Sequence, residues 1–223
     1  MKIGICYTVQ TPELTAIVQE ELEKAVGFGA AYAVYADETV LTQTREAGFV
    51  PPRAAARLIG LYAKAIADGA DVILNCCSSV GAVADAMQDF ARLINVPIVR
   101  IDEEMCRAAV RLGKRIGIMA TLKSTLMPTK ALLLRCAQET GRGIECVDLL
   151  VDGAFGLPPD AFTALMVEKA RALSEDVDVI VLAQGSMAFS ERAVFEAVKL
   201  PVLSSPRFGA QAVRTALKAK GLL

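Results

Sequence analysis

The chain of 223 residues contains no histidine. That absence excludes Ser-His-Asp and Cys-His catalysis, together with every metal site that needs an imidazole ligand. Tryptophan is also missing, and aromatic residues make up only 5% of the chain. Nucleic-acid binding calls for a basic stripe interleaved with stacking aromatics. Here 24 Lys and Arg are set against 25 Asp and Glu, with no long run of either sign, so nucleic acid is set aside as a partner. Neither G-x-x-x-x-G-K-[ST] nor G-x-G-x-x-G occurs, which removes the P-loop and the dinucleotide fingerprint. The six cysteines, at positions 6, 76, 77, 106, 136 and 146, form no C-x-x-C pair, and no zinc site is expected. Apolar runs such as Val177 to Ala183, broken by Asp178, stop far short of a membrane span. Met1-Lys2-Ile3-Gly4-Ile5 leaves no room for a charged n-region followed by an apolar h-region. A cytoplasmic protein without a membrane partner is the expectation.

What is present is aliphatic. Hydrophobic residues make up 54% and the mean hydropathy is +0.43, carried by Ala, Val, Leu and Ile. Parallel strands covered on both faces require that composition. Strand-like and helix-like stretches alternate throughout. The expected strands are Ile3 to Tyr7, Ala31 to Tyr35, Val72 to Asn75, Pro97 to Ile101, Arg115 to Met119, Glu145 to Val151, Val179 to Ala183 and Val202 to Ser204. Helices fill the intervals, beginning with Thr11-Pro12-Glu13 as N-cap, N1 proline and early acid. Residues 36–50 read as a long polar connection, and one helix is expected from about Ser79 to Leu93. Strict alternation implies an α/β fold with parallel sheets.

The two halves also resemble each other in letters. Lys2-Ile3-Gly4-Ile5 matches Arg115-Ile116-Gly117-Ile118, Val72 to Ser78 matches Ile180 to Ser186, and Val96-Pro97-Ile98 echoes Leu200-Pro201-Val202. The alignment sets Gln184 at the place of Cys76. Such a duplication predicts two doubly wound domains, residues 1–100 plus 206–223 and residues 101–205, with a cleft between them. Ligands of open α/β sheets bind at the carboxyl ends of the strands. Those ends carry Tyr7 and Thr8, then Cys76, Cys77 and Ser78, then Thr121 and Ser124, and finally Gln184, Gly185 and Ser186. Cys76 follows a strand and precedes a helix, whose free N–H groups lower a thiol pKa and favour the thiolate. A thiolate beside a bound carboxylate suits proton transfer at the neighbouring carbon. The purely structural alternative is two buried thiols after a strand.

Asn75-Cys76-Cys77-Ser78-Ser79 resembles the A-C-N-T segment of the aspartate/glutamate/hydantoin racemase superfamily. Gly113 to Leu122 resembles that superfamily's mid-chain strand and threonine turn, and Val181 to Ala188 its second motif. The resemblance implies two flavodoxin-like domains related by pseudo-twofold symmetry, no cofactor and no metal, and a homo-oligomer, dimer or higher. It implies Cys76 as catalytic acid/base on a small carboxylate: an amino acid, a hydantoin or a dicarboxylate. Tyr7, Thr8, Cys77, Ser78, Thr121, Ser124, Gln184, Gly185 and Ser186 are the implied substrate-binding residues. The superfamily's racemases use a second cysteine where this chain has Gln184, and a primary amide is no proton base near neutral pH. The alternatives are therefore a single-cysteine decarboxylase or lyase, and a non-catalytic small-carboxylate-binding protein.

Overall fold

A computed structural model describes residues 1–27 and 29–223. The chain divides into two compact units, Met1–Ile101 with Pro206–Leu223, and Asp102–Ser205. The first unit runs β1 (Lys2–Tyr7), α1 (Pro12–Val26), β2 (Ala31–Ala36), α2 (Glu38–Ala47), α3 (Pro52–Ala67) and β3 (Val72–Asn75). A 3₁₀ turn (Ser78–Val80), α4 (Gly81–Ala86), α5 (Gln88–Leu93) and β4 (Ile98–Arg100) follow. The second unit runs α6 (Glu103–Leu112), β5 (Arg115–Ala120), α7 (Lys123–Glu139), β6 (Glu145–Leu150), α8 (Pro159–Leu173) and β7 (Val179–Leu182). A 3₁₀ turn (Gly185–Ser190), α9 (Glu191–Val198) and β8 (Val202–Ser204) complete it, and α10 (Ser205–Ala219) returns to the first unit.

Each unit holds one four-stranded, wholly parallel sheet, in the order β2-β1-β3-β4 and β6-β5-β7-β8. These are two flavodoxin-like sheets flanked by helices, the α/β architecture that the alternation predicts. Their central strands are buried on both faces, as the aliphatic composition requires.

Period-two alternation decides what each face of the first sheet buries. Ile3, Ile5, Tyr7, Val72, Leu74 and Cys76 point to one face, where Leu14, Val18 and Leu22 of α1 and Ala210, Val213 and Leu217 of α10 cover them. Cys6, Ile73 and Cys77 point to the other, against Ala54, Leu58, Tyr62 and Ala65 of α3. Full burial of each large aliphatic side chain contributes about 1.5–3 kcal/mol. Gly4 sits where α3 comes close: a Cβ there would lie 3.1 Å from that of Ala65. In the second unit Phe162, Met166, Ala170 and Leu173 of α8 pack with Met119, Ile180 and Leu182.

Two helices differ from expectation. The polar connection after β2 contains α2, capped by Asp37, whose carboxylate accepts the Thr39 N–H at 2.9 Å, and ended by Gly48 at φ 75°. Only Val40, Leu41 and Thr44 turn inward, so its apolar stripe is too narrow to stand out among polar letters. The helix expected from Ser79 to Leu93 is three pieces: the 3₁₀ turn, α4, and α5 after a break at Met87.

Candidate active site

The carboxyl edge of the first sheet gathers the cysteine pair. β3 ends at Asn75, but its ladder continues one residue further, because the Cys76 N–H donates to the Cys6 carbonyl at 2.9 Å. Cys76 therefore keeps strand geometry and turns its thiol into the apolar layer beside Tyr7. The Tyr7 hydroxyl hydrogen-bonds the Cys76 sulfur, and the thiol in turn faces the Leu74 carbonyl at 4.0 Å. Burial, then the neighbouring thiols of Cys6 and Cys77, push the Cys76 pKa well above its ordinary value, and the Tyr7 bond only partly offsets them. Burial likewise raises Tyr7. This corrects the expectation of a thiol lowered by a helix N-terminus. Cys76 lies one step before the chain leaves the ladder, inside the hydrophobic layer.

Cys77 is still extended, with φ −136° and ψ 112°, and immediately precedes the 3₁₀ turn. Asn75 braces it: the carboxamide Nδ2 donates to the Cys77 carbonyl at 3.1 Å. Around the pair, Thr8 Oγ1, Ser78 Oγ and Asn75 Oδ1 are buried without a hydrogen-bond partner in the protein. Buried polar groups normally find partners, and here two hydroxyls and a carboxamide oxygen in neighbouring loops and strand ends do not.

The second unit's edge carries the remaining candidates. Gln184 is tied twice to Thr121: its Nε2 donates to Thr121 Oγ1 at 2.6 Å, and its Oε1 accepts the Thr121 N–H at 3.1 Å. Ser124, at the start of α7, has a buried Oγ without a protein partner. Gly185 and Ser186 open the 3₁₀ turn that follows Gln184. At the end of β8, Ser204 donates to the Glu191 carboxylate.

Strand registers align the two units residue by residue. Ile3 pairs with Val72 in one sheet and Ile116 with Val179 in the other. The Cys76 N–H bonds the Cys6 carbonyl as the Ala183 N–H bonds that of Met119, each at 2.9 Å. Asp71 accepts the Lys2 N–H as Asp178 accepts that of Arg115, each at 2.7 Å. Cys76 thus corresponds to Ala183, Cys77 to Gln184 and Thr8 to Thr121. The letter alignment, which set Gln184 against Cys76, is one residue out, and in a strand one residue reverses the face. The repeated Asp71-Val72-Ile73 and Asp178-Val179-Ile180 held the correct register in the sequence. Gln184 reaches Thr121 with its carboxamide. The Thr8 hydroxyl, which corresponds to that of Thr121, stays unanswered.

Sequence reasoning missed Arg100, the last residue of β4. It is buried, ion-paired with Asp85 of α4 at 2.6 Å, and pressed against Gly81. A Cβ at Gly81 would collide with the guanidinium, lying 2.6 Å from Nε. The signal was a glycine at the start of α4 and a cation at a strand end. Among the described residues, no group of three or more His, Cys, Asp or Glu is placed to hold a metal ion, and no helix is long and apolar enough to cross a membrane.

The comparisons agree with this architecture. An allantoin racemase from Klebsiella pneumoniae superposes with a TM-score of 0.68 at 20% identity, covering 100% of this chain and 89% of that one. Glutamate racemase isoform RacE1 from Bacillus anthracis gives 0.71 at 15% identity, covering 99% of this chain and 83% of that one. An unliganded arylmalonate decarboxylase gives 0.61 at 17% identity, with 96% and 92% covered. No curated protein matches the chain in sequence. Residues 10–213 match the family model of the Asp/Glu/Hydantoin racemases, and the chain belongs to that family.

Proposed function

We propose that the protein is a cofactor-independent racemase or isomerase that moves a proton at the carbon next to the carboxylate of a small acid, using a thiol of the Cys76-Cys77 pair. The observation that carries this is the pair itself, set at the carboxyl edge of the first sheet among the unanswered groups Thr8 Oγ1, Ser78 Oγ and Asn75 Oδ1. Hydroxyls left free at that edge suit a carboxylate, which accepts several hydrogen bonds at once. Of the two thiols, Cys77 is assigned the reacting role. It holds the register place of Gln184, whose partner Thr121 corresponds to Thr8. Cys76, to which the letters first point, is engaged with Tyr7 and stands behind it as the hydrogen-bonded neighbour.

In the step itself, the Cys77 thiolate takes the α-proton and the C–H electron pair passes into the substrate carboxylate as an enolate. Hydrogen bonds that strengthen as that charge develops lower the barrier. Water delivers a proton to the opposite face of the enolate, which inverts the carbon, and the Cys77 thiol then releases its proton to the hydroxide so formed. Thr121, Ser124, Gln184, Gly185 and Ser186 are the second set of proposed substrate-binding groups. Substrate classes in keeping with the relatives are amino acids, hydantoins and dicarboxylates.

A second reading is favoured by one observation: the register place of Cys77 in the second unit holds an amide already bound to Thr121. A one-thiol site suffices for decarboxylation. The C–C bond to a carboxylate breaks, carbon dioxide leaves, and the carbanion takes the thiol proton. The two readings separate in heavy water with a panel of small amino acids, hydantoins and substituted malonates. Uptake of α-deuterium without gas release supports the first, and carbon dioxide release supports the second. Neither response from any member of the panel, with binding retained, would leave a binding protein.

A further inference from the structure

The two units differ at the end of their fourth strands. By register Arg100 pairs with Asn75, as Ser204 pairs with Leu182. The second unit places a hydroxyl there, bonded to Glu191. The first places a guanidinium, which is the one buried cation among the described residues. Burying a charge is costly unless it is paired and put to use. The Asp85 carboxylate pairs it at 2.6 Å, and Gly81, having no side chain, leaves room for the guanidinium at the start of α4. Both contacts fall within the segment that follows Cys77, and the Arg100 register partner Asn75 holds the Cys77 carbonyl. Tyr62 of α3, buried against the same turn, lies within electrostatic reach of Cys6, Cys76, Cys77 and Arg100 together.

We infer that Arg100 is a positioning residue for Cys77: its buried guanidinium pins the turn after the thiol and supplies the positive charge that favours the thiolate. The inference rests on the assignment of Cys77 as the reacting thiol. Cys76 and Tyr62 of α3 each interact electrostatically with Cys77, Tyr62 interacts with Arg100 and Cys6 as well, and Asp85 of α4 pairs with Arg100. From α2, which also packs on the turn, the charged residues Glu38, Arg45 and Glu46 are exposed. Arg100 is the one buried positive charge in this set, and Asp85 partly cancels it.

The two charges therefore predict opposite effects. The pH dependence of Cys77 alkylation by iodoacetamide, read by fragment-resolved mass spectrometry on the full chain without substrate, tests them. Arg100→Gln is expected to shift the Cys77 profile upward by about one pH unit, a tenfold loss of thiolate at neutral pH, and Arg100→Lys to restore most of it. Asp85→Asn is expected to shift it downward. Gly81→Ala, which displaces the guanidinium while keeping its charge, shifts it upward by a smaller amount and serves if Arg100→Gln fails to fold. Folded variants whose Cys77 profile matches the parent, or shifts of the same sign for Arg100→Gln and Asp85→Asn, overturn the inference. Opposite shifts without exchange of any substrate would uphold it and count against the functional assignment instead.

Discussion

Gln184 and Thr121 answer each other completely: the carboxamide donates to the threonine hydroxyl at 2.6 Å and accepts the threonine N–H at 3.1 Å. A thiol at the position of Gln184 makes neither bond with comparable strength. The second unit is thus built around an amide, and the equivalent residue of the first unit is Cys77.

That pairing has a measurable energy. Each bond contributes about 0.5–1.5 kcal/mol net. Gln184→Leu and Thr121→Val are each expected to lower the stability of the second unit by about 1–2 kcal/mol. Because the side chains bond one another, the double variant should be less destabilised than the sum, with a coupling of about 1 kcal/mol in urea titrations. Additive losses would show that the two residues act independently.

The proposed role of Cys77 predicts unequal effects for the two thiols. Positioned acid/base groups contribute roughly 10²–10⁴-fold to a rate. Cys77→Ser is expected to reduce α-deuterium exchange by at least about 100-fold, and Cys76→Ser by less than about tenfold. The reverse ranking would return the reacting role to Cys76.

Alkali should unfold the first unit early. Burial pushes Cys6 from its ordinary 9.0 up to about 12, so the fold keeps that proton while the unfolded chain releases it. Between those values the native state binds more protons, and stability falls as pH rises, by up to about 1.4 kcal/mol per pH unit for one thiol. Tyr7 and Cys76, both raised by burial, add losses of the same sign. Urea midpoints measured from pH 8 to pH 11 should decline steeply. Cys6→Ala should flatten that slope, and an unchanged slope would contradict the burial of its proton.

Backbone closeness fixes one glycine. A Cβ at Gly209 of α10 would lie 2.9 Å from the Cα and 3.1 Å from the carbonyl oxygen of Ile101. Backbone cannot step aside as a rotamer can, so Gly209→Ala is expected to cost about 1–3 kcal/mol. Gly60 of α3, with nothing within 4 Å of its would-be Cβ, is the control. Gly60→Ala should stabilise by about 0.5–1 kcal/mol through helix propensity. Thermal melts compare the two directly.

All eight strands were legible in the sequence, the central ones most plainly because they are buried on both faces. β3, β7 and β8 are runs of aliphatic letters bounded by turn residues, and α6 is marked off by Glu103 and Gly113. α2 escaped because only three of its side chains reach the core, and the break at Met87 has no proline or glycine to announce it. The candidate site was legible as a segment at the end of β3. Composition locates Cys76 and Cys77 at the end of an apolar strand, yet which thiol faces which side depends on a register that only strand pairing reveals. Arg100 escaped for a related reason. A lone arginine after two aliphatic letters reads as a solvated strand end until Gly81 and Asp85 are brought beneath it by folding.

The return of α10 to the first sheet imposes an order on synthesis. The segment Asp102–Ser205 is continuous and is complete when the ribosome reaches its end, whereas the sheet begun at Lys2 still lacks Ala210, Val213 and Leu217. Throughout that interval the face that carries Tyr7 and Cys76 is covered by α1 alone and lacks the α10 half of its cover. A nascent chain stalled before α10 emerges should expose Cys76 to alkylation, and release of the last helix should close it. Docking of α10 is then also the step at which Cys76 leaves water, whereas Cys77, on the α3 face, is covered by earlier chain.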